Sequence, residues 1–408
     1  MENAETNHRT WAKIDLGAIG QNVAAIDKIL NGKSKIMAIV KADAYGHGAP
    51  FVARELVGCG VDFFGVSSLD EAMQLRESGI SQNILILGYT APLAENVKKL
   101  AEYGIVQTVF DFECAKKISE EAKKLNKSVK VHIKIDTGMN RLGFSFTAKN
   151  KDKDIIAKIK SIKNMDSIIC EGIFTHFAEA DEKKSDFTKE QIGLFGELVY
   201  SLEKEGIHFD IKHAANSGAT INFPETHLDY ARCGLILYGL YPSKSTAEED
   251  IGLVPAMELK TIVSQLHAVK KGETVSYART YEAGRDILCA TLPIGYADGF
   301  SRLLSNSAGV LLKGKQAPVV GRVCMDQSMI DVTGCENVEV GDIVTLFGHD
   351  EGGAGYIPVE RVADMMGTIN YEVVCLIGKR VPRIFCKNGE ECGQLNYIAP
   401  ESPDFGAK

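Results

Sequence analysis

The sequence predicts an α/β fold, a (β/α)8 barrel followed by a mostly β C-terminal domain. Three observations predict it. Short apolar, β-branched runs alternate with amphipathic stretches from the N-terminal region to about residue 240, the rhythm and length of an eight-fold strand and helix repeat. After Tyr241 the texture changes to short runs rich in Val, Ile, Thr, Gly and Asp, separated by turn residues, which reads as a β domain. At 408 residues and 45% hydrophobic, the chain is long enough for two cores. The boundaries are placed at 12–243 for the barrel and 244–408 for the second domain, which residues 1–11 are free to join because a strand over Thr10 to Ile14 can pair with either domain.

The first barrel strand is Ile36 to Val40, an apolar run that ends on Lys41. A helix over Pro50 to Val57 and a strand over Phe63 to Val66 follow. Ser68-Leu69-Asp70-Glu71 has the capping-box pattern and opens a helix to Ser78. Ile84 to Leu87 is the third strand, Val106 to Phe110 the fourth, Val129 to Ile135 the fifth, Ile168 to Thr175 the sixth, Phe209 to Lys212 the seventh and Leu235 to Tyr238 the eighth. Helices over Leu93 to Tyr103 and Phe112 to Leu125 lie between them. The rival is an open, doubly wound sheet, because strand count does not prove closure. In the second domain, strands are read over Lys260 to Ala268, Asp286 to Leu292, Ala317 to Val323, Ser328 to Val332 and Asp342 to Leu346, and only Pro358 to Met366 reads as helix.

A net charge of −8 and the lack of any lysine- or arginine-rich block speak against a nucleic-acid partner. The polar start MENAETNHRTW lacks an apolar segment and no run is long enough to cross a bilayer, so no membrane is expected and the protein is placed in the cytoplasm. Ten scattered cysteines without a CxxC pair read as small buried hydrophobes in a reducing compartment; pairing of Cys386 with Cys392 is not expected. HExxH, Walker and GxGxxG patterns are lacking, and nine dispersed histidines show no ligand spacing, so no metal is expected.

Polar residues fall just past the strands, on the face where such barrels build their sites. Lys41 and Tyr45 follow the first strand in AIVKADAYGHG. A lysine at a strand end with an apolar wall behind it is a candidate for a lowered pKa and for Schiff-base formation. KIDTGMNRLG brings Lys134, Asp136 and Arg141; IFTHFAEAD brings His176; KHAANSGA brings Asn216 and Ser217; ARCGLILYG brings Arg232 and Gly234. Ser217 and Gly218 can open a short helix whose N–H groups would face a phosphate. The second domain adds Tyr277 in SYARTY, Tyr296 and Arg302 in PIGYADGFSR, Arg322, Met325 and Asp326 in GRVCMDQ, and Tyr371 in NYE.

These strings, AIVKADAYGHG, DTGMNRLG, THF, HAANS, PIGYADG, GRVCMDQ and NYE, resemble the alanine racemase family in their order from about Trp11 to Arg383. The resemblance implies an enzyme with pyridoxal 5'-phosphate on a barrel joined to a β domain, and a head-to-tail homodimer with shared sites. It implies that Lys41 carries the cofactor and is the base on one face of a small amino-acid substrate, and that Tyr277, from the partner subunit, is the base on the other. Tyr45, Asn216, Ser217, Gly234 and Tyr371 resemble cofactor contacts, chiefly to the phosphate; His176 resembles the ring-side neighbour, and Arg232 the arginine facing the pyridine nitrogen. Arg141 and the Met325 region match the substrate-carboxylate site, Lys134 the lysine often carbamylated, and Asp181, Tyr296, Arg302, Arg322 and Ile369 the corridor into the site. Two departures, Asn140 where glycine is frequent and FSR after ADG, touch loop geometry only.

The implied reaction interconverts L- and D-alanine. Lysine and tyrosine have ordinary pKa values of about 10.4 and 10, so both need lowering to act as bases near neutrality; burial alone raises a tyrosine, so a cation is required, with Arg141 the candidate. A racemase for serine or several amino acids on the same scaffold, an amino-acid decarboxylase of the same class, and a non-catalytic cofactor carrier stay open as alternatives.

Overall fold

The computed structural model describes residues 8–399; the expectation for the first residues, MENAETN, lies outside them. They fall into two compact units, one of Ala18–Ala44 with Ala49–Val254, the other of residues 8–17, Tyr45–Gly48 and 255–399.

The first unit is a closed barrel. Its strands, Lys35–Ile39, Phe63–Val66, Asn83–Ile86, Val106–Val109, Val129–Asp136, Ile168–Phe174, Ile211–His213 and Tyr230–Cys233, pair in parallel one after the other. The fourth joins the fifth through Gln107↔Val131, and the eighth returns to the first through Tyr230↔Lys35, so the open-sheet alternative is excluded. Strands covered on both faces need apolar side chains throughout, and Phe63, Phe64, Ile84, Leu85, Ile133 and Ile173 are fully buried. The helix Leu69–Glu77 starts where the capping pattern puts it, with Ser68 Oγ accepting from Glu71 N.

Leu235–Tyr238, expected as the eighth strand, is instead a buried 3-10 turn, and the strand is Tyr230–Cys233. The apolar run misled because the turn is itself core, with Tyr238 Oη donating to Ile39 O at 2.9 Å, whereas the strand carries the buried Arg232 at its centre.

In the second unit, the strand Thr10–Asp15 lies inside the main sheet, antiparallel to Met257–Ile262 and parallel to Arg383–Lys387. The sheet continues through Ile343–His349, Gly309–Leu312 and Lys315–Pro318 on one side and Glu390–Leu395 on the other. The compact units divide at Ala18 and Val254. The segment up to Val254 stays with the barrel, where Asn22 exchanges hydrogen bonds of 2.9 and 2.7 Å with the Val254 backbone. The expected strand Lys260 to Ala268 is two, Met257–Ile262 and Gln265–Val269, in different sheets, and a second helix, Asn370–Cys375, follows Val359–Met366.

Cys386 and Cys392 form no disulfide, and the cysteines are not uniformly buried, since Cys375 and Cys392 are exposed. Among the described residues no helix is long and apolar enough to cross a membrane and no cluster could hold a metal ion.

Candidate active site

Lys41 stands two residues beyond the first barrel strand, and the chain after it does not run as an open glycine loop. Ala42, Asp43, Ala44 and Tyr45 all adopt left-handed angles, φ 50 to 56°. One left-handed turn of non-glycine residues costs roughly 1–2 kcal/mol per residue and persists only when its surroundings hold it. Glu71 does much of that holding. Its Oε1 accepts from Ala42 N at 2.8 Å and its Oε2 from Ser67 N at 2.7 Å, while Asp43 Oδ1 accepts from Ala49 N.

Two arginines and two lysines of the barrel bear on one histidine. The half-buried His176 is held well below its usual pKa, first by burial and then by Arg232, Lys134, Arg141 and Lys41. Lys134 is not past the fifth strand but inside it, buried, with Nζ donating to Ile135 O at 3.1 Å and lying over the Phe174 ring at 5.1 Å. Burial, with Arg232 beside it, lowers its pKa well below the lysine range. Arg232 is equally buried, and NH2 donates to Thr175 O and Ala214 O, both at 2.8 Å, and faces His176 Nδ1 at 3.1 Å. Burial pushes the guanidinium down to about 9, which leaves it a cation at neutral pH. Arg232→Glu would set a carboxylate against these carbonyls. An unpaired buried charge costs about 3–5 kcal/mol, so the variant is expected to unfold at markedly lower denaturant concentration.

Arg141 is exposed on a loop tied by Asp136, whose Oδ1 accepts from Gly138 N and Asn140 N. Asn140 has φ 54°, a conformation asparagine tolerates better than most residues, so this departure from glycine preserves the loop.

Asn216 and Ser217 open a short helix, Ser217–Asn222, with Asn216 Oδ1 accepting from Ala219 N and Ser217 Oγ accepting from Gly234 N at 2.9 Å. A Cβ on Gly218 would come within 2.3 Å of Asp181 Oδ1, so Asp181 lies against the start of this helix and glycine is required there.

The remaining candidates lie in the second unit. Tyr45 is buried, with its ring 6.1 Å from that of Tyr371. Tyr277 is 70% exposed at the end of the hairpin Thr274–Val275 and Tyr281–Glu282. Ser276, Ala278 and Arg279 around it all have positive φ, and Ser276 Oγ donates to Arg322 O at 2.7 Å. The PIGYADG and GRVCMDQ strings pack together through Tyr296 N to Cys324 O and Ala297 N to Met325 O, leaving the Met325 side chain exposed. Tyr296 and Arg302 line one cleft with Gly299, Ser301 and Leu376. In FSR, Phe300 is core and Ser301 caps the short turn Arg302–Leu304, so this departure too is accommodated locally. Ile369 is exposed.

Several supporting residues escaped the sequence reading. Glu71 was visible only as a helix cap; His132, His213 and Glu171 sit inside strands or at their register positions, where nothing in the one-dimensional pattern separates them from packing residues.

Residues 14–242 match the family described as alanine racemase, N-terminal domain, and residues 256–385 match alanine racemase, C-terminal domain. An alanine racemase of Methanococcus maripaludis is 47% identical over 93% of this chain and 99% of its own length. A solved alanine racemase of Clostridium difficile 630 superposes with a TM-score of 0.91 at 38% identity, over 97% of this chain and all of that one. A histidine racemase of Leuconostoc mesenteroides also matches, with a TM-score of 0.84 at 31% identity, over 95% of this chain and all of that one. With both domains matched and a barrel mouth that gathers lysines, arginines and a histidine, the chain belongs to the alanine racemase family.

Proposed function

We propose that the barrel mouth holds pyridoxal 5'-phosphate and that the protein, as a homodimer with shared sites, interconverts L- and D-alanine by a two-base route. The buried Arg232, 3.1 Å from His176 Nδ1, with Lys134 buried in the fifth strand and Lys41 and Arg141 also acting on His176, carries this reading, because an anionic, aldehyde-bearing ring needs an amine, positive charge and a polar rim. The residues fit such a group. Ser217 and Gly234 meet at one rim, where the short helix Ser217–Asn222 begins, and Lys41 is set on a strained, supported turn.

Bound there, the cofactor supplies the electron sink that makes an α-proton removable. Lys41 Nζ takes or returns the proton on one face, and Tyr277 of the partner subunit does so on the other. The exposed, strained setting of Tyr277 suits a side chain that serves a site outside its own subunit. Arg232 would offer its guanidinium, which only donates, to the cofactor's ring nitrogen, and a ring left without a proton there would supply a weaker sink that disfavours side reactions. Arg141 and Met325 receive the substrate carboxylate; Tyr45, Asn216, Ser217, Gly234 and Tyr371 hold the cofactor at its phosphate end; His176 flanks the ring. Asp181, Tyr296, Arg302, Arg322 and Ile369 border the approach.

Lys134 is proposed as the amine that adds carbon dioxide, losing one proton and gaining a negative charge that steadies Arg141. Burial and the neighbouring Arg232 lower its pKa, which favours the uncharged, nucleophilic amine. Isotope-labelled bicarbonate is expected to give a carbamate signal at mildly alkaline pH that disappears on acidification, as the amine protonates, and in Lys134→Arg.

The likeness to a histidine racemase favours a second reading, a broader amino-acid racemase on the same scaffold. Incubation of the purified protein, with added pyridoxal phosphate, with single enantiomers of alanine, serine and histidine separates the two. Chirality loss confined to alanine supports the first reading, and comparable rates on the others move the assignment to the second.

A further inference from the structure

We propose that His213 and His132 form a one-way hydrogen-bond chain in the barrel, directed toward the Glu171 carboxylate, that holds the Arg232 guanidinium in place, with His213 as a positioning residue for Arg232. What Arg232 does at the ring rests on the function proposed above; the chain itself does not.

Arg232 NH1 meets His213 Nδ1 at 2.9 Å, and His213 Nε2 meets His132 Nδ1 at 2.9 Å. His132 Nε2 faces Glu171 Oε1 at 3.6 Å, and Lys130 Nζ closes on Glu171 Oε2 at 2.9 Å. A guanidinium only donates, so His213 Nδ1 is an acceptor and its proton is on Nε2. That proton is donated to His132, whose Nδ1 is therefore an acceptor and whose own proton is on Nε2, toward the carboxylate. Every donor in the chain points away from Arg232, and the first acceptor fixes the NH1 end of the guanidinium while the carbonyls of Thr175 and Ala214 fix the NH2 end.

The barrel is built around these rings. Both histidines are fully buried. Phe174 stacks on His213 with centroids 4.6 Å apart and planes 12° apart, and Phe63 presents its edge to His132 at 5.8 Å. A Cβ on Gly172 would lie 2.5 Å from the His132 ring, so the sixth strand leaves that ring its space by having no side chain there. The charged groups bearing on the pair are Arg232 and Lys134 toward His213, and Arg232, Lys130 and Glu171 toward His132. Burial disfavours the charged form of both imidazoles, in keeping with a chain of neutral rings.

Nitrogen NMR of the histidine-labelled holoenzyme tests the chain directly, with the two signals assigned by their loss in single variants. Both rings are expected as neutral, Nε2-protonated tautomers from mildly acidic to mildly alkaline pH. An Nδ1-protonated or charged ring at neutral pH for either residue overturns the proposal. His213→Phe removes the acceptor and is expected to lower kcat roughly tenfold, the scale of a hydrogen bond to a charged group, to leave the KM for alanine nearly unchanged and to alter the pH dependence of the cofactor absorbance. His213→Asn, whose Oδ1 can stand where Nδ1 stood, is expected to restore most of kcat and the wild-type absorbance. Equal losses in both variants overturn the positioning role. An enzyme that fails to racemise alanine at all would sink the proposed function while leaving the tautomer result to stand.

Discussion

Lys41→Ala is expected to reduce racemisation in both directions below detection and to abolish the cofactor absorbance that a lysine linkage produces. Two losses coincide in this one substitution, the base on one substrate face and the group that holds the cofactor aldehyde. Removing a general base alone costs typically 10²–10⁴-fold, and losing the anchor adds to it. The fold is expected to survive, because Glu71 and Asp43 accept from backbone N–H groups at the two ends of the turn after Lys41. Activity within roughly tenfold of wild type, against that general-base scale, would remove Lys41 from the mechanism.

Tyr277→Phe separates the second base from the cofactor. The side chain is 70% exposed on its own subunit, so losing one hydroxyl leaves the fold and cofactor absorbance unchanged. Racemisation is expected to fall about 10³-fold in both directions, within the range for general acid–base catalysis, with the thermal midpoint unmoved. Normal turnover in either direction would refute a tyrosine base at this position.

Much of this site is legible in the sequence because strand ends are where an apolar run stops abruptly. Lys41, His176 and Ser217 each follow such a stop. Arg232 was harder to place. Its strand is short and polar at its centre, while the apolar Leu235–Tyr238 beyond it is a turn buried as deeply as any strand. The left-handed turn after Lys41 carried no signal at all, since Ala42, Asp43 and Ala44 are ordinary residues forced into φ near 50° by bonds to Glu71 and by the chain around them. The strand Thr10–Asp15 illustrates a different limit. Its alternation announces a strand, but its neighbours, Met257–Ile262 and Arg383–Lys387, are more than two hundred residues away, and no local pattern specifies such partners. His132 and His213 stayed hidden for the same reason, since they lie 81 positions apart in sequence and meet only because their strands flank the same third strand in the barrel.

The most direct test of two bases acting on opposite faces is the origin of the α-hydrogen in the product. L-alanine turned over in deuterium oxide is expected to give D-alanine that carries solvent deuterium from the first turnovers, while the remaining L-alanine keeps its own proton early on. The reverse reaction from D-alanine is expected to behave alike. D-alanine that retains the substrate's original proton would mean that a single base carries the proton from one face to the other, and would contradict the roles given to Lys41 and Tyr277.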